Sequence, residues 1–261
     1  MAAGCEHGAA SHDGTEPSMA SAPEASRAWL LIEHPGPWPP EAAEAELPAP
    51  LRDVVDAAAG LGIRVQLIRS PGPRGEAGAR RVLAAWTAGS EPWLRYGEVG
   101  SDPPPWPPGP PPSSPRALRT AAAPWPPGLD LDRLAAGDPP SFGSPASEPV
   151  FLVCGHGQRN ACCARFGVPL ARHLAARYPG QVFQTTHVGG HRFAANLVIL
   201  PHGLYYGPVG LAEATAAISA YQRGTVTPDR YRGRAGQPRP TQQAEHERLT
   251  RAGSLALAAL G

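Results

Sequence analysis

A proline-rich stretch near the middle of the chain constrains the fold more than any other feature of the sequence. Between Asp102 and Pro127 the chain contains the run Pro-Pro-Pro-Trp-Pro-Pro-Gly-Pro-Pro-Pro. Proline fixes its own φ angle and has no backbone N–H to donate, so this stretch should be extended and solvated rather than helical or paired in a sheet. It divides the chain of 261 residues into two parts. We interpret it as a spacer, the alternative being a docking site for a proline-recognising domain.

The first part of the chain predicts a flexible tail over residues 1–26 and a small α/β domain over residues 27–100. The tail is small and polar and has no apolar periodicity. The domain alternates apolar runs typical of strands with one stretch in which apolar residues recur at helical spacing. Its predicted elements are strand 28–33, helix 51–61, strand 63–68 and strand 81–86.

The second part of the chain predicts a Pro-rich linker over residues 101–149 and a more regular domain over residues 150–261. The apolar pattern of this domain predicts the order β-α-β-β-β-α, followed by a further helix. The predicted elements are strand 150–153, helix 168–178, strand 181–186, a hairpin of strands 195–200 and 203–206, and helices 211–221 and 242–259. The fold class is therefore α/β, with a thioredoxin-like C-terminal domain packed with or tethered to the small N-terminal domain.

Composition and charge limit the classes of partner. The formal net charge of +1 gives no electrostatic grounds for binding nucleic acid or an anionic membrane. The sequence has no apolar run near the ~20 residues that cross a bilayer, and its first 26 residues lack the apolar segment of a secretion signal. We therefore expect a cytoplasmic protein with no nucleic-acid or membrane partner. Thiols stay reduced in the cytoplasm, so the four cysteines are interpreted as ligands or redox groups.

Cysteines and histidines follow two predicted strands of the second domain, at the point where each strand ends. Cys154 closes the first strand, and Cys162 and Cys163 lie in the loop or helix entrance after it. His187 closes the second strand, and His191 follows after Val-Gly-Gly. Loops at one edge of a parallel sheet can meet, so these residues can share one metal site. Thiolate and imidazole together suit zinc, copper or an iron–sulfur centre.

Each candidate also has a structural interpretation. Cys154 alone could be a small buried hydrophobic residue, His202 and His246 are expected to be solvated, and His173 to have a structural role in its helix. Cys154-Gly-His156 provides one Cys-x-His spacing, but a Rieske centre would also need a Cys-x-x-His, and a dithiol oxidoreductase would need a Cys-x-x-Cys. The sequence has neither of these two further spacings. A structural Cys2His2 zinc site uses the same donors and stays open.

Two segments of the second domain resemble the sucrase/ferredoxin-like family. They are residues 152–164, LVCGHGQRNACCA, and residues 187–207, HVGGHRFAANLVILPHGLYYG. The resemblance implies a thioredoxin-like ferredoxin with a [2Fe–2S] cluster. The implied ligands are Cys154, Cys163, His187 and His191. Asn160 stands where the family pattern has aspartate, and the matching segments hold no carboxylate pair placed for glycoside hydrolysis.

The function implied by this resemblance is electron transfer. Such a protein would be a redox relay between donor and acceptor proteins that the sequence does not name, rather than an enzyme with a substrate of its own. Neutral imidazoles in place of two thiolates should raise the reduction potential of the cluster. The ring nitrogens of the imidazoles can carry protons, so electron transfer should depend on pH. The alternative is a structural Cys2His2 zinc protein that acts as an interaction module.

Overall fold

The computed structural model describes residues 21–47, 49–71, 79–100 and 126–260. Their fold is mixed α/β and is dominated by one sheet of ten strands with few helices. Most of the predicted proline-rich spacer lies outside these ranges. No helix in the described part of the chain is both long and apolar enough to cross a bilayer.

The elements of the first part agree with the prediction, with one strand added. They are β1 Ala28–Glu33, α1 Ala49–Gly60, β2 Arg64–Arg69, β3 Ala79–Trp86 and β4 Trp93–Gly100. The added strand is β4. In β1, Trp29 and Leu31 point into one apolar cluster while Leu30 and Ile32 point into another. The strand is therefore covered on both faces, which is why its sequence reads as a continuous apolar run.

Residues within the predicted linker pack against the first part of the chain. A short helix, α2 (Leu131–Ala136), is capped by Asp130, whose side chain accepts a hydrogen bond from the Arg133 amide. Leu131 and Leu134 of this helix are buried in the same apolar cluster as Leu30 of β1. A two-residue strand, β5 (Ser144–Pro145), then pairs with β4.

The second part follows the predicted β-α-β-β-β-α order. Its elements are β6 Val150–Cys154, α3 Ala161–Arg177, β7 Val182–Thr185, β8 Leu197–Leu200, β9 Leu204–Tyr206, α4 Leu211–Gln222, β10 Thr225–Val226, β11 Tyr231–Arg234, α5 Arg239–Ala252 and β12 Leu255–Ala256. The largest differences from the predicted boundaries are at two helices. Helix α3 begins before residue 168, so Pro169 lies inside it, and α5 ends before residue 259 because Gly253 adopts a left-handed φ of 74°.

One sheet crosses the predicted boundary between the two domains. Its strand order is β11-β9-β8-β6-β7-β2-β1-β3-β4-β5. The two parts join where β2 pairs with β7 in antiparallel register, with Ile68 opposite Thr185 and Arg69 opposite Gln184. Strands β6 and β7 are parallel neighbours, so their carboxyl ends lie at the same edge of the sheet.

The predicted flexible tail does not extend through residues 21–26, and residues 1–20 lie outside the described part of the chain. Ala22 is buried, and its amide donates to Oε1 of Gln242 at 3.1 Å. The side-chain amide of Gln242 donates back to the Ala22 carbonyl oxygen at 3.1 Å. These paired hydrogen bonds join the segment to α5, which the local sequence could not indicate.

A buried ion pair fastens α5 to the sheet. Nε of Arg234 in β11 lies 2.8 Å from Oε2 of Glu245 in α5, and both side chains are 4% exposed. The same guanidinium donates to the Leu260 carbonyl oxygen at 2.6 Å, and the Tyr231 hydroxyl donates to Glu245. This group therefore connects an outer strand, a helix and the last described residue.

We expect Glu245→Gln to lower the free energy of unfolding by about 3 kcal/mol, because it removes the negative partner of a buried ion pair. Glu24→Gln is the matched control, since Glu24 pairs with Arg239 at 3.0 Å on the surface. Its loss should cost less than about 1 kcal/mol. Urea unfolding measures both. Equal losses would show that the buried pair contributes no more than the exposed one.

Candidate metal centre

The structure brings three of the four predicted ligands together. Cys154 is the last residue of β6, Cys163 lies in the first turn of α3, and His187 follows β7. Their candidate donor atoms all lie within 4.8 Å of one another. Both cysteines are buried free thiols, and His187 is half-buried. The parallel pairing of β6 and β7 thus produces the meeting of strand ends that the sequence predicted.

The two sulfur atoms face the same ring nitrogen. Nδ1 of His187 lies 3.9 Å from Sγ of Cys154 and 3.8 Å from Sγ of Cys163. A hydrogen bond from the Cys163 thiol holds the pKa of Cys154 well below its usual range, and His187 lowers it further. The same hydrogen bond, together with burial, raises the pKa of Cys163. A metal ion bound by both sulfur atoms would displace the thiol protons, since metals bind the thiolate form.

Close packing between α3 and β6 sets the separation of the two cysteines. A side chain at Gly167 would place its Cβ 1.9 Å from the Cys154 carbonyl oxygen. Only glycine allows the helix to approach the strand end this closely. The Cys154 amide donates to the Asn196 carbonyl oxygen at 3.1 Å, which fixes the strand end from the β8 side.

Asn160 caps the helix that carries Cys163. Its side chain accepts a hydrogen bond from the Cys162 amide at 3.0 Å, as an N-cap residue does. Asparagine and aspartate serve equally well in this role. The asparagine at this position is therefore consistent with the local structure. The Cys162 side chain is fully buried, and its sulfur does not belong to the group of three donors.

The backbone of His187 is held from both sides by residues distant in sequence. Its carbonyl oxygen accepts from Nη2 of Arg64 in β2 at 3.3 Å. Its amide donates to Nδ1 of His156 at 3.2 Å, and Nε2 of His156 lies 2.7 Å from the Pro39 carbonyl oxygen. This pattern assigns the proton of His156 to Nε2. Burial lowers the pKa of His156, which favours the neutral ring with its single proton on Nε2.

The loop after His187 is fixed by further hydrogen bonds. The Tyr205 hydroxyl donates to the Val188 carbonyl oxygen at 3.2 Å, and the Asn196 side chain donates to the Gly190 carbonyl oxygen at 3.0 Å. Gly190 has a φ of 66°, in the left-handed region that favours glycine. A Cβ there would lie 2.2 Å from Nη2 of Arg232. Conformation and space thus both require glycine immediately before His191.

His191, the fourth predicted ligand, lies beside the group and not within it. It begins a 3-10 turn, His191–Phe193, and its side chain is exposed. Its ring centre is 6.1 Å from that of His187. Its donor atoms fall outside the 4.8 Å group formed by the other three residues.

Two histidines expected to be solvated are half-buried instead. Nδ1 of His202 lies 2.7 Å from the Tyr221 hydroxyl oxygen, and burial with the nearby Arg234 charge lowers the pKa of His202 to about 4. The ring of His246 stacks on Tyr231 at 6.4 Å. His156 was noted in the sequence only through its Cys-x-His spacing, and its role in holding His187 depends on Pro39, which is remote in the chain.

Comparison with known proteins adds a family match. A family model described as sucrase/ferredoxin-like matches residues 19–233. The altered inheritance of mitochondria protein 32 of Meyerozyma guilliermondii is 30% identical over 98 residues, covering 33% of this chain and 35% of that protein. Its namesake in Eremothecium gossypii is 28% identical over 114 residues, covering 38% and 36%. The matched region is thus about a third of each relative. No solved structure matches the chain.

Gly190→Ala should destabilise the fold more than Gly180→Ala. Both glycines have positive φ angles, 66° and 78°, so both substitutions carry a conformational cost of about 1–2 kcal/mol. A methyl group at 180 meets nothing within 4 Å, whereas at 190 it must displace the Arg232 guanidinium. Urea unfolding compares the two variants. Similar losses would show that the loop yields to the added methyl group at no extra cost.

Proposed function

Because the chain belongs to the sucrase/ferredoxin-like family, we propose that it binds a [2Fe–2S] cluster and carries electrons between redox proteins. The observation that carries the proposal is the compact group of donors from Cys154, Cys163 and His187. Thiolate sulfur and imidazole nitrogen are both ligands of such clusters. The match covers only about a third of each relative named above. Any role of the protein as a whole is therefore part of this proposal.

The donor set suits two cysteines on one iron and two histidines on the other. Cys154 and Cys163 would supply the thiolates, and their burial keeps water away from both sulfur atoms. His187 and His191 would supply the imidazoles, and their rings are already neighbours. When bound, the cluster supplies one-electron redox chemistry, at a potential raised by replacing two thiolates with neutral ligands.

The residues of the chain divide the site into a buried side and an exposed side. The cysteines lie in the apolar core with Val188 and Phe183, while the His191 side chain is exposed. A redox partner would therefore approach from the His191 side. This arrangement fits an electron carrier better than an enzyme that encloses a substrate.

The strand arrangement supports a thioredoxin-like description of the part from residue 150 onward. Neighbouring strands run in the order β7-β6-β8-β9, and β6 is parallel to β7 while the other two pairs are antiparallel. Helices α3 and α4 complete the predicted β-α-β-β-β-α unit. We keep the cytoplasm as the proposed compartment, since reduced thiols are required for ligation.

The proposal is tested by analysing protein purified without oxygen. We expect about two iron atoms and about two acid-labile sulfides per chain, with visible absorption, as the [2Fe–2S] formula requires. Three donors close enough to reach one ion also suit a structural zinc site, in which the chain would act as an interaction module. Stoichiometric zinc without iron would overturn the cluster and establish that alternative.

Replacing the neighbouring cysteines separately tests the ligand assignment. Cys163→Ser should abolish or strongly reduce iron and sulfide binding, because the Cys163 sulfur belongs to the donor group. Cys162→Ser is the matched control and should keep both, because its sulfur lies outside that group. Iron and sulfide content per folded chain is the measurement. If only the Cys162 variant lost iron and sulfide, the ligand would be Cys162 and not Cys163.

A further inference from the structure

A buried arginine lies beneath the loop that joins His187 to His191. Arg232 belongs to β11 and is 1% exposed. Its guanidinium carbon lies 4.5 Å from the ring centre of Phe193 and 5.6 Å from that of Tyr205. The position a Cβ would take at Gly190 is 2.2 Å from its Nη2. The cation thus lies directly against the residue before His191.

The hydrogen-bond partners of this guanidinium are neutral. Nε donates to the Ser21 hydroxyl at 3.0 Å, Nη2 donates to the Ser21 carbonyl oxygen at 3.0 Å, and Nη1 donates to Oδ1 of Asn196. Among the ion pairs formed within the described ranges, none includes Arg232. Burial lowers the pKa of Arg232 to about 10, so the side chain is still a cation at neutral pH. Within the part of the chain that the structure describes, its charge is therefore stabilised by dipoles and not by a carboxylate.

Asn196 connects the cation to both sides of the donor group. Its side-chain oxygen accepts from Arg232, and its side-chain nitrogen donates to the Gly190 carbonyl oxygen. Its backbone oxygen accepts from the Cys154 amide. The positive charge therefore has a fixed position relative to Cys154 and to the histidine loop.

We propose that Arg232 favours the reduced form of the centre at Cys154, Cys163, His187 and His191 and so raises its reduction potential. This inference rests on the proposed function. Two thiolates and two neutral imidazoles balance the charge of an oxidised [2Fe–2S] core, so one electron accepted from an external donor leaves one net negative charge. A buried cation attracts that charge with little screening by water or salt. Arg232 is thus a positioning residue for the loop and also an electrostatic one.

The test adds a negative charge at Ser21, where the Arg232 contacts can be retained. In Ser21→Asp a carboxylate replaces the hydroxyl that accepts from Nε, and it cancels the positive charge. Ser21→Asn is the matched control, with nearly the same shape and no charge. Each protein, with the wild type, is titrated with dithionite at fixed pH and salt, and the cluster absorption is followed. Iron content and the free energy of unfolding are measured in parallel.

We expect Ser21→Asp to have a lower potential than Ser21→Asn at equal iron content, with the asparagine variant close to wild type. Equal potentials in the two variants would overturn the electrostatic role. A second pair, Arg232→Gln and Arg232→Lys, should show a lowered potential in the first and recovery in the second. If both Arg232 variants lost the cluster and the two Ser21 variants had equal potentials, Arg232 would have a structural role only.

The two proposals fail in different ways. Wild-type protein without iron and sulfide would overturn the cluster, and with it this inference. Wild-type protein with a full cluster, together with equal potentials in the Ser21 pair, would overturn the role of Arg232 alone.

Discussion

The parallel pairing of β6 with β7 is the constraint on which the site depends. It places Cys154 opposite Thr185, two residues before His187, at one edge of the sheet. Gly167 then lets α3 contact that edge, and the helix brings Cys163 to the same place. Three donors that are separated in sequence meet because β6 and β7 run in the same direction and because α3 has a glycine where it contacts the end of β6.

The first part of the chain supports the site although it contributes none of the proposed ligands. Arg64 in β2 donates to the His187 carbonyl oxygen, and Pro39 accepts from the histidine that holds the His187 amide. The pairing of β2 with β7 keeps these residues in place. The geometry around His187 therefore depends on segments from both sides of the proline-rich stretch.

Two buried arginines in β11 show two ways of holding a cation away from water. Arg234 has a carboxylate partner in Glu245, and the pair fastens α5 to the sheet. Arg232 has hydroxyl, amide and carbonyl partners, which give each of its three nitrogens a hydrogen bond and leave its charge in place. Burying a charge without a counter-charge costs stability, and the electrostatic role proposed for Arg232 gives that cost a function at the loop between His187 and His191.

Apolar runs and apolar periodicity were sufficient to predict β1, α1, the β8–β9 hairpin and α4, because each of these patterns is local. The type and spacing of the cysteines and histidines likewise indicated which residues could be ligands, and the strand ends indicated where they could meet. The tertiary structure alone decided that one sheet spans both parts, that residues 21–26 pack against α5, and that His202 is half-buried. It also decided that Arg232 lies beneath the histidine loop. These features depend on contacts between residues far apart in the chain, and such contacts leave no periodic pattern in the sequence.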